Sequence, residues 1–344
     1  MPAAPGAGPP RHYGDAAAEA LHARATVGLA DLSASVLLRA TGADRVSYLH
    51  RMVSCEVRGL APGEGRRGLF LTAKGRVVAD FDLVVLPERV EMRAAAAARP
   101  ALFEGLRRFV VADDVAFEDR SGPAGLLVLV GPGADEAAAR VLGGHLPEVP
   151  DGGGADAHAP CGPVTAFRGK RAGLPAWDLL ADAAVLPALF DAALAAVRAL
   201  GGGPLGADAL DALRIEAGLP ALGADFGEDT LPQEAGLDAA VSFTKGCFLG
   251  QEPVARLHNL GHTNRGVVRL RLAEGAPAPS RGDEVLAAGK PCGTVTSAAL
   301  SPSFGRAVAL AMLRNEHAAP GTKVAVRGAA GEFPGEVTAP PFVG

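Results

Sequence analysis

A chain of 344 residues that is 49% hydrophobic and 21% charged has the length for two or three domains with buried cores and is not disordered. Its 33 Lys and Arg against 38 Asp and Glu leave a net charge of −5, which argues against a general nucleic-acid-binding surface. The opening Met1–Gly6 has neither a basic nor an apolar targeting segment, and no uncharged apolar run reaches the ~18 residues that span a bilayer, so a cytoplasmic protein without membrane contact is expected.

Residues 1–14 are rich in Pro and Gly and are expected to fray. Ala16–Ala25 has a weak helical pattern, Val36–Ala40 reads as a strand, and Val46, Leu49 and Val53 have the spacing of a helix over Arg45–Val53. Gly68–Thr72 and Val77–Leu86, joined by Ala73-Lys74-Gly75-Arg76, read as a β-hairpin. On its second strand Val77, Ala79, Phe81, Leu83 and Val85 share one face, which leaves Asp80 and Asp82 together on the other, roughly 7 Å apart. These aspartates are either a reactive pair or the solvated face of an antiparallel sheet.

Arg89–Arg93 reads as a further strand, Pro100–Val110 as a helix, and Leu126–Val130 as a buried strand that leads through Gly131-Pro132-Gly133 into a helix at Ala134–Leu142. No Gly-x-Gly-x-x-Gly follows that strand, so it is not a dinucleotide site. Residues 143–163, dense in Gly and Pro, are expected to form a loop. Strands at Val164–Phe167 and Trp177–Leu180 precede an amphipathic helix over Leu186–Leu200, and Asp208 is placed to cap a helix over Ala209–Ala217. From Gly266 onward short strands separated by Gly, Pro or Asp predict a small antiparallel barrel. The fold class is therefore α+β with an all-β C-terminal module.

The chemistry concentrates in Lys245-Gly246-Cys247-Phe248-Leu249-Gly250-Gln251-Glu252, ahead of a helix at Pro253–Leu257. Gly246 and Gly250 allow positive φ, and a helix N-terminus together with Lys245 would favour the Cys247 thiolate. Cys247 is thus a candidate reactive residue, its bland alternative a small buried hydrophobe. Lys245 either contacts an anion, tunes the thiol or is a solvated charge, while Gln251 and Glu252 order the loop. Cys55, Cys161 and Cys292 form no C-x-x-C with it or with one another, which fits a reducing compartment. His258 and His262, at i and i+4, imitate a metal site with Cys247, but Gly261 interrupts the helix this needs, and no metal is expected.

Two further runs carry a resemblance. Leu213–Pro220 and Thr230–Leu237 resemble the corresponding segment of the T-protein of the glycine cleavage system, an aminomethyltransferase that uses tetrahydrofolate. Lys245–Glu252 is similar instead to the K-G-C-[FY]-x-G-Q-E signature of the related YgfZ-type folate-binding proteins, which include mitochondrial iron–sulfur assembly factors. The resemblance reaches from Val36 to the C-terminal strands, and the octapeptide discriminates, because the aminomethyltransferases have no cysteine motif there.

The resemblance implies two GcvT-like α+β subdomains, discontinuous in sequence, over residues 1–263 and a C-terminal β-barrel over 264–344, around a central hole that binds tetrahydrofolate or another folate. It implies a protein that supports assembly or repair of iron–sulfur enzymes, including one that thiomethylates tRNA, with folate and iron–sulfur enzymes or assembly proteins as partners and no direct contact with nucleic acid. The alternative is a tetrahydrofolate-dependent aminomethyl or one-carbon transferase, and a third reading makes folate a structural or sensing ligand. Asp80 aligns with an acidic position near the folate that assists proton transfer in the aminomethyltransferases. Phe167-Arg168-Gly169-Lys170 stands where those enzymes have Tyr-Thr-Gly-Glu, with Lys170 in place of the pterin-gripping acid. Arg256 and Arg265 are candidate partners for the carboxylates of a folate tail, with Arg45, Arg51, Arg66 and Arg67 as a basic rim, or else all are ordinary surface arginines.

Overall fold

The computed structural model describes residues 9–339. The carboxylate of Asp15 caps helix α1 (Ala16–Ala25) by accepting from the amides of Ala17 and Ala18. After β1 (Gly28–Asp31) the chain leaves to build a separate sheet from β2 (Val36–Thr41), α2 (Arg45–Met52), β3 (Gly65–Leu71), β4 (Val77–Val85), β5 (Val90–Ala94), α3 (Arg99–Arg108) and β6 (Ala116–Asp119). This sheet is antiparallel in the order β3-β4-β5-β2-β6. Leu38, Ala79, Phe81, Leu83 and Met92 from one face pack with Tyr48 and Leu49 of α2 and Leu102 and Leu106 of α3. The period-2 pattern of β4 is thus used as the sequence indicates, its apolar set buried and Asp80 and Asp82 half-buried on the opposite side.

The chain then returns to the first sheet with β7 (Ala124–Val130), α4 (Ala134–Val141), β8 (Gly154–Ala159), β9 (Gly162–Arg171), β10 (Leu174–Asp182), α5 (Leu186–Ala199), β11 (Gly203–Pro204) and α6 (Ala207–Glu216). Its order, β11-β1-β7-β10-β9-β8, places β1 beside β7, so this unit is assembled from segments on either side of the other sheet. One face packs on α4 and α5 through Trp177, Leu129, Phe190 and Val197. The other packs on α1 and α6 and also meets Leu37, Val84 and Leu86 of the first-built sheet, which joins the two units through a shared apolar layer.

Beyond α7 (Gln251–Leu260), β12 (Arg265–Leu272), β13 (Glu284–Ala287), β14 (Lys290–Ser301), β15 (Arg306–Arg314), β16 (Lys323–Gly328) and β17 (Gly331–Thr338) close into an antiparallel barrel in the order β12-β15-β14-β13-β16-β17. Leu270, Val285, Val295, Ala309 and Val326 fill it. Glu216, fully buried at the end of α6, accepts from Arg24, from the Ser301 hydroxyl and from the amide and hydroxyl of Ser303, and so ties the barrel to both sheet-covering helices. Every bond site of that carboxylate is used, as burial of a charge requires.

Three sequence expectations are corrected. The span 143–163 is not all loop: Gly154–Ala159 forms the edge strand β8, because ladder bonds to β9 hold a segment whose small, polar composition gives no strand pattern of its own. Asp208 does not cap α6, which starts two residues earlier with Gly206 as its N-cap; Asp208 lies inside the first turn and pairs with Arg11. Fraying is expected for 1–14; residues 1–8 lie outside the described residues, but Pro10, Arg11 and Tyr13 are held by Ala207, Asp208 and Glu19.

Candidate functional site

Where the two sheets face each other, their strands bring a group of charges together. From β4, Asp80 accepts from Arg67 of β3 at 2.7 Å, and Asp82 lies 3.4 Å from Nη1 of Arg171, at the end of β9. Arg171 grips Asp178 of β10 through two parallel N–H donors, Nε at 3.1 Å from Oδ1 and Nη2 on Oδ2. Arg93 of β5 closes the group from the other sheet, with Nε 3.1 Å from Asp178 Oδ2 and its guanidinium carbon 3.7 Å over the Phe167 ring. Nε, held at ion-pair distance, and Nη1 of Arg93 are both buried donors without a hydrogen-bond partner among the described residues.

Alternation along the strands sets this geometry. Phe167 is the cross-strand partner of Asp178, so both point toward the opposite sheet, whereas Arg168 is the partner of Trp177 and points away with it. Lys170 follows Arg168 on that far, exposed side. The residue that β9 presents to the site in the region expected for Lys170 is therefore Arg171, a one-residue difference that the two-residue period turns into a change of face.

Burial works to raise the Asp178 carboxyl, but the Arg171 and Arg93 charges outweigh it and hold the group below the usual carboxylate range. Arg171 is likewise held above its ordinary value, because Asp178 and Asp82 overcome the penalty of burial. Arg93 is held lower, by burial. The result is two arginines sharing one fully ionised buried carboxylate, with Asp82 and Asp80 at the more open end of the row.

The octapeptide packs against the hairpin that carries Asp80. Gly250, at φ +79°, is the N-cap of α7, and a Cβ there would stand 2.4 Å from the Thr72 carbonyl oxygen in the hairpin turn. Gly75, at φ +72° in the same turn, has no room for a Cβ beside Val254. Helix α7 is longer than expected and starts at Gln251, because Gly250 in the left-handed conformation turns the chain into it. Gly246 is not in the positive-φ region.

Lys245 is not the solvated loop charge that the sequence left open: it is buried against main chain. Its side chain runs inward, and Nζ donates to the carbonyls of His50, Val53 and Cys55 at 2.5, 2.6 and 2.8 Å. Burial pulls the ammonium down to about 8, so at neutral pH all three donors remain. Phe248 is buried, with its ring 5.1 Å from the same Nζ, and the Leu249 amide donates to the Arg51 carbonyl. Between these anchors Gly246 and Cys247 are exposed. Cys55 is the buried thiol of the region, and burial pushes it up to about 12.

The other expected residues lie apart. Arg256 is exposed on α7. Arg265 is engaged with Glu234 at 3.1 Å and Asp229 at 3.4 Å, and Glu234 also receives Arg76 from the hairpin turn. It is a strut between barrel and hairpin, a role that two nearby carboxylates impose on it. Arg51 pairs with Asp113 and Arg67 with Asp80, so half of the expected basic rim is neutralised. His258 stacks on Phe243 at 3.8 Å, and α7 ends at Leu260, so His262 does not share its helical face. Sequence reasoning missed Arg93, Arg171 and Asp178, although Asp178 in the apolar run Trp177–Leu180 is the kind of charge that enters a strand core only with partners.

The chain is similar to known proteins in both sequence and fold. Residues 7–245 match the family described as GCVT N-terminal domain, and residues 265–344 match the glycine cleavage T-protein C-terminal barrel domain. The chain is 31% identical to an aminomethyltransferase of Streptomyces avermitilis, over 97% of this chain and 91% of that one. It is also 31% identical to an aminomethyltransferase of Saccharopolyspora erythraea, with the same coverage. The structure is similar to the crystal structure of glycine cleavage system aminomethyltransferase T from Bartonella henselae, at a TM-score of 0.88 and 26% identity, with 97% and 91% of the two chains covered.

Proposed function

Because the chain belongs to the glycine cleavage T-protein family, we propose that it binds tetrahydrofolate at the row of charges between its sheets and carries out a one-carbon transfer of the aminomethyl type. The reading takes residues 1–263 as the folate-binding region, residues 264–344 as the barrel domain, and the cytoplasm as the compartment. The observation that carries it is Arg93 Nη1, unpartnered among the described residues, beside half-buried carboxylates. A pterin has an edge of N–H donors next to a carbonyl oxygen, which asks for a carboxylate acceptor and a cationic donor side by side; Asp82 and Asp80 supply the acceptors and Arg93 the donor. Tetrahydrofolate, when bound, supplies nitrogen atoms that accept the carbon unit. The protein's part is to orient that ligand, exclude water through the Phe167–Arg93 stack, and take up a proton at Asp80.

Calorimetric titration with tetrahydrofolate tests the site. The wild type is expected to bind, and Asp80→Ala to bind about tenfold or more weakly, the equivalent of one lost charge-assisted hydrogen bond. Absence of heat with the wild type removes the folate premise. Stoichiometric product from an aminomethyl donor and tetrahydrofolate supports the transferase, and folate binding without turnover counts against it.

A second reading rests on a different observation, the exposed Cys247 held on a loop whose neighbours are buried. In that reading the protein is of the YgfZ type: it supports assembly or repair of iron–sulfur enzymes, including tRNA-thiomethylating ones, and Cys247 contacts them. Cys247→Ala should then abolish that support in cells while stability stays within about 0.5 kcal/mol, as for other exposed side chains. Full activity of the iron–sulfur enzymes in the variant strain would sink it.

A further inference from the structure

The last turn of α2 leaves carbonyls without intrahelical partners, and the loop that carries Cys247 covers them. The Arg51 carbonyl accepts from the Leu249 amide, and that of His50 in the last turn, together with those of Val53 at the C-cap and Cys55 just beyond it, converges on one ammonium, that of Lys245. A cation at a helix C-terminus is favoured by the helix dipole, and here it is buried and matched donor for acceptor. Ser242 adds a second hold on the same residue, since its hydroxyl accepts from the Lys245 amide and its own amide donates to the Ser54 carbonyl. The Lys245 residue is only 7% exposed and Phe248 likewise 7%, whereas the two residues between them face solvent.

We propose that Lys245 is a positioning residue, a tethered cation whose seat in three carbonyls, of the last turn of α2 and the segment just after it, fixes the Gly246–Cys247 crest and so the place at which the thiol is offered. The assignment of a task to that thiol rests on the second reading above; the tether itself does not. An arginine is not a substitute, because a planar guanidinium cannot direct three donors into a cup of three carbonyls. An amine of the right length is one: Lys245→Ala lacks the equivalent of propylammonium.

Amide hydrogen exchange on the full chain tests this. In Lys245→Ala the Leu249 amide should exchange at least about tenfold faster than in the wild type, a local opening rather than global unfolding. Added propylammonium should restore protection saturably, and tetramethylammonium, with the same charge and no N–H, should not. Unchanged exchange in the variant, or equal restoration by both ions, overturns the proposal. Lys245→Met, which fills the space without donors, guards against a variant that fails to fold. It should show the same loosening, and wild-type protection in it also overturns the proposal. Cys247→Ser separates the two ideas: normal activity of the iron–sulfur enzymes in that variant, together with amine rescue of Lys245→Ala, ends the reading of the thiol and leaves the tether standing.

Discussion

Asp178→Ala should lose about 3–5 kcal/mol of folding stability, because it leaves Arg93 and Arg171 buried between the sheets without their shared countercharge. The Asp178 side chain is 6% exposed, and the nearest remaining acid, Asp82, reaches Arg171 at 3.4 Å but is itself half open to solvent. Urea denaturation would read the change as a lower midpoint at unchanged slope. The loss also has a pH signature. Asp178 in the folded protein is held below the unfolded carboxylate value of about 3.9, so its contribution is complete above that value and is lost as pH falls through the folded one. The stability gap between wild type and Asp178→Ala should therefore be constant at neutral pH and shrink below about pH 4. A gap that persisted unchanged into strong acid would mean that Asp178 acts by shape rather than by charge.

The second large effect is expected at Gly250. Alanine there must adopt a left-handed backbone, at a cost of about 1–2 kcal/mol, and its Cβ would lie 2.4 Å from the Thr72 carbonyl oxygen. That oxygen is main chain and already accepts from Gly75, so no side-chain rotation relieves the contact. The sum is a destabilisation of about 3 kcal/mol, with overpacking adding to the backbone strain. Gly246→Ala is the internal control. It has no neighbour within 4 Å and no positive φ, and should stay within about 0.5 kcal/mol. Equal thermal stability of the two variants would show that the octapeptide does not depend on its seat against the hairpin. If Gly250→Ala also weakens folate binding, the hairpin transmits the disturbance, since Asp80 stands five positions beyond Gly75 on the adjoining strand.

Both variants sit in the segment whose standing the structure alters most. Read as a linear motif, Lys245–Glu252 places a basic residue two positions from a cysteine, and the simplest chemistry is charge acting on the thiol. In the fold, the same lysine turns inward to cap α2, and the acid of interest, Asp80, lies on the hairpin against which the segment rests. The row of charges from Asp80 to Arg93 draws on both strands of that hairpin, on β5, and on β9 and β10, whose residues pair with it across more than 80 positions of sequence.

The sequence by itself determined what depends on local periodicity and on recognisable runs. These include the amphipathic helices α2, α3 and α5, the face of β4 that carries Asp80 and Asp82, the six short strands of the C-terminal barrel, and the resemblance to the T-protein family. Only the tertiary structure decided which polar groups meet. It made β8 a strand through its ladder to β9, turned Arg171 and not Lys170 toward the site, and directed Lys245 into three carbonyls and Arg265 onto Glu234. The physical reason is that apolar burial repeats with the local period of a helix or strand and is written residue by residue, whereas a buried charge is placed by partners distant in sequence.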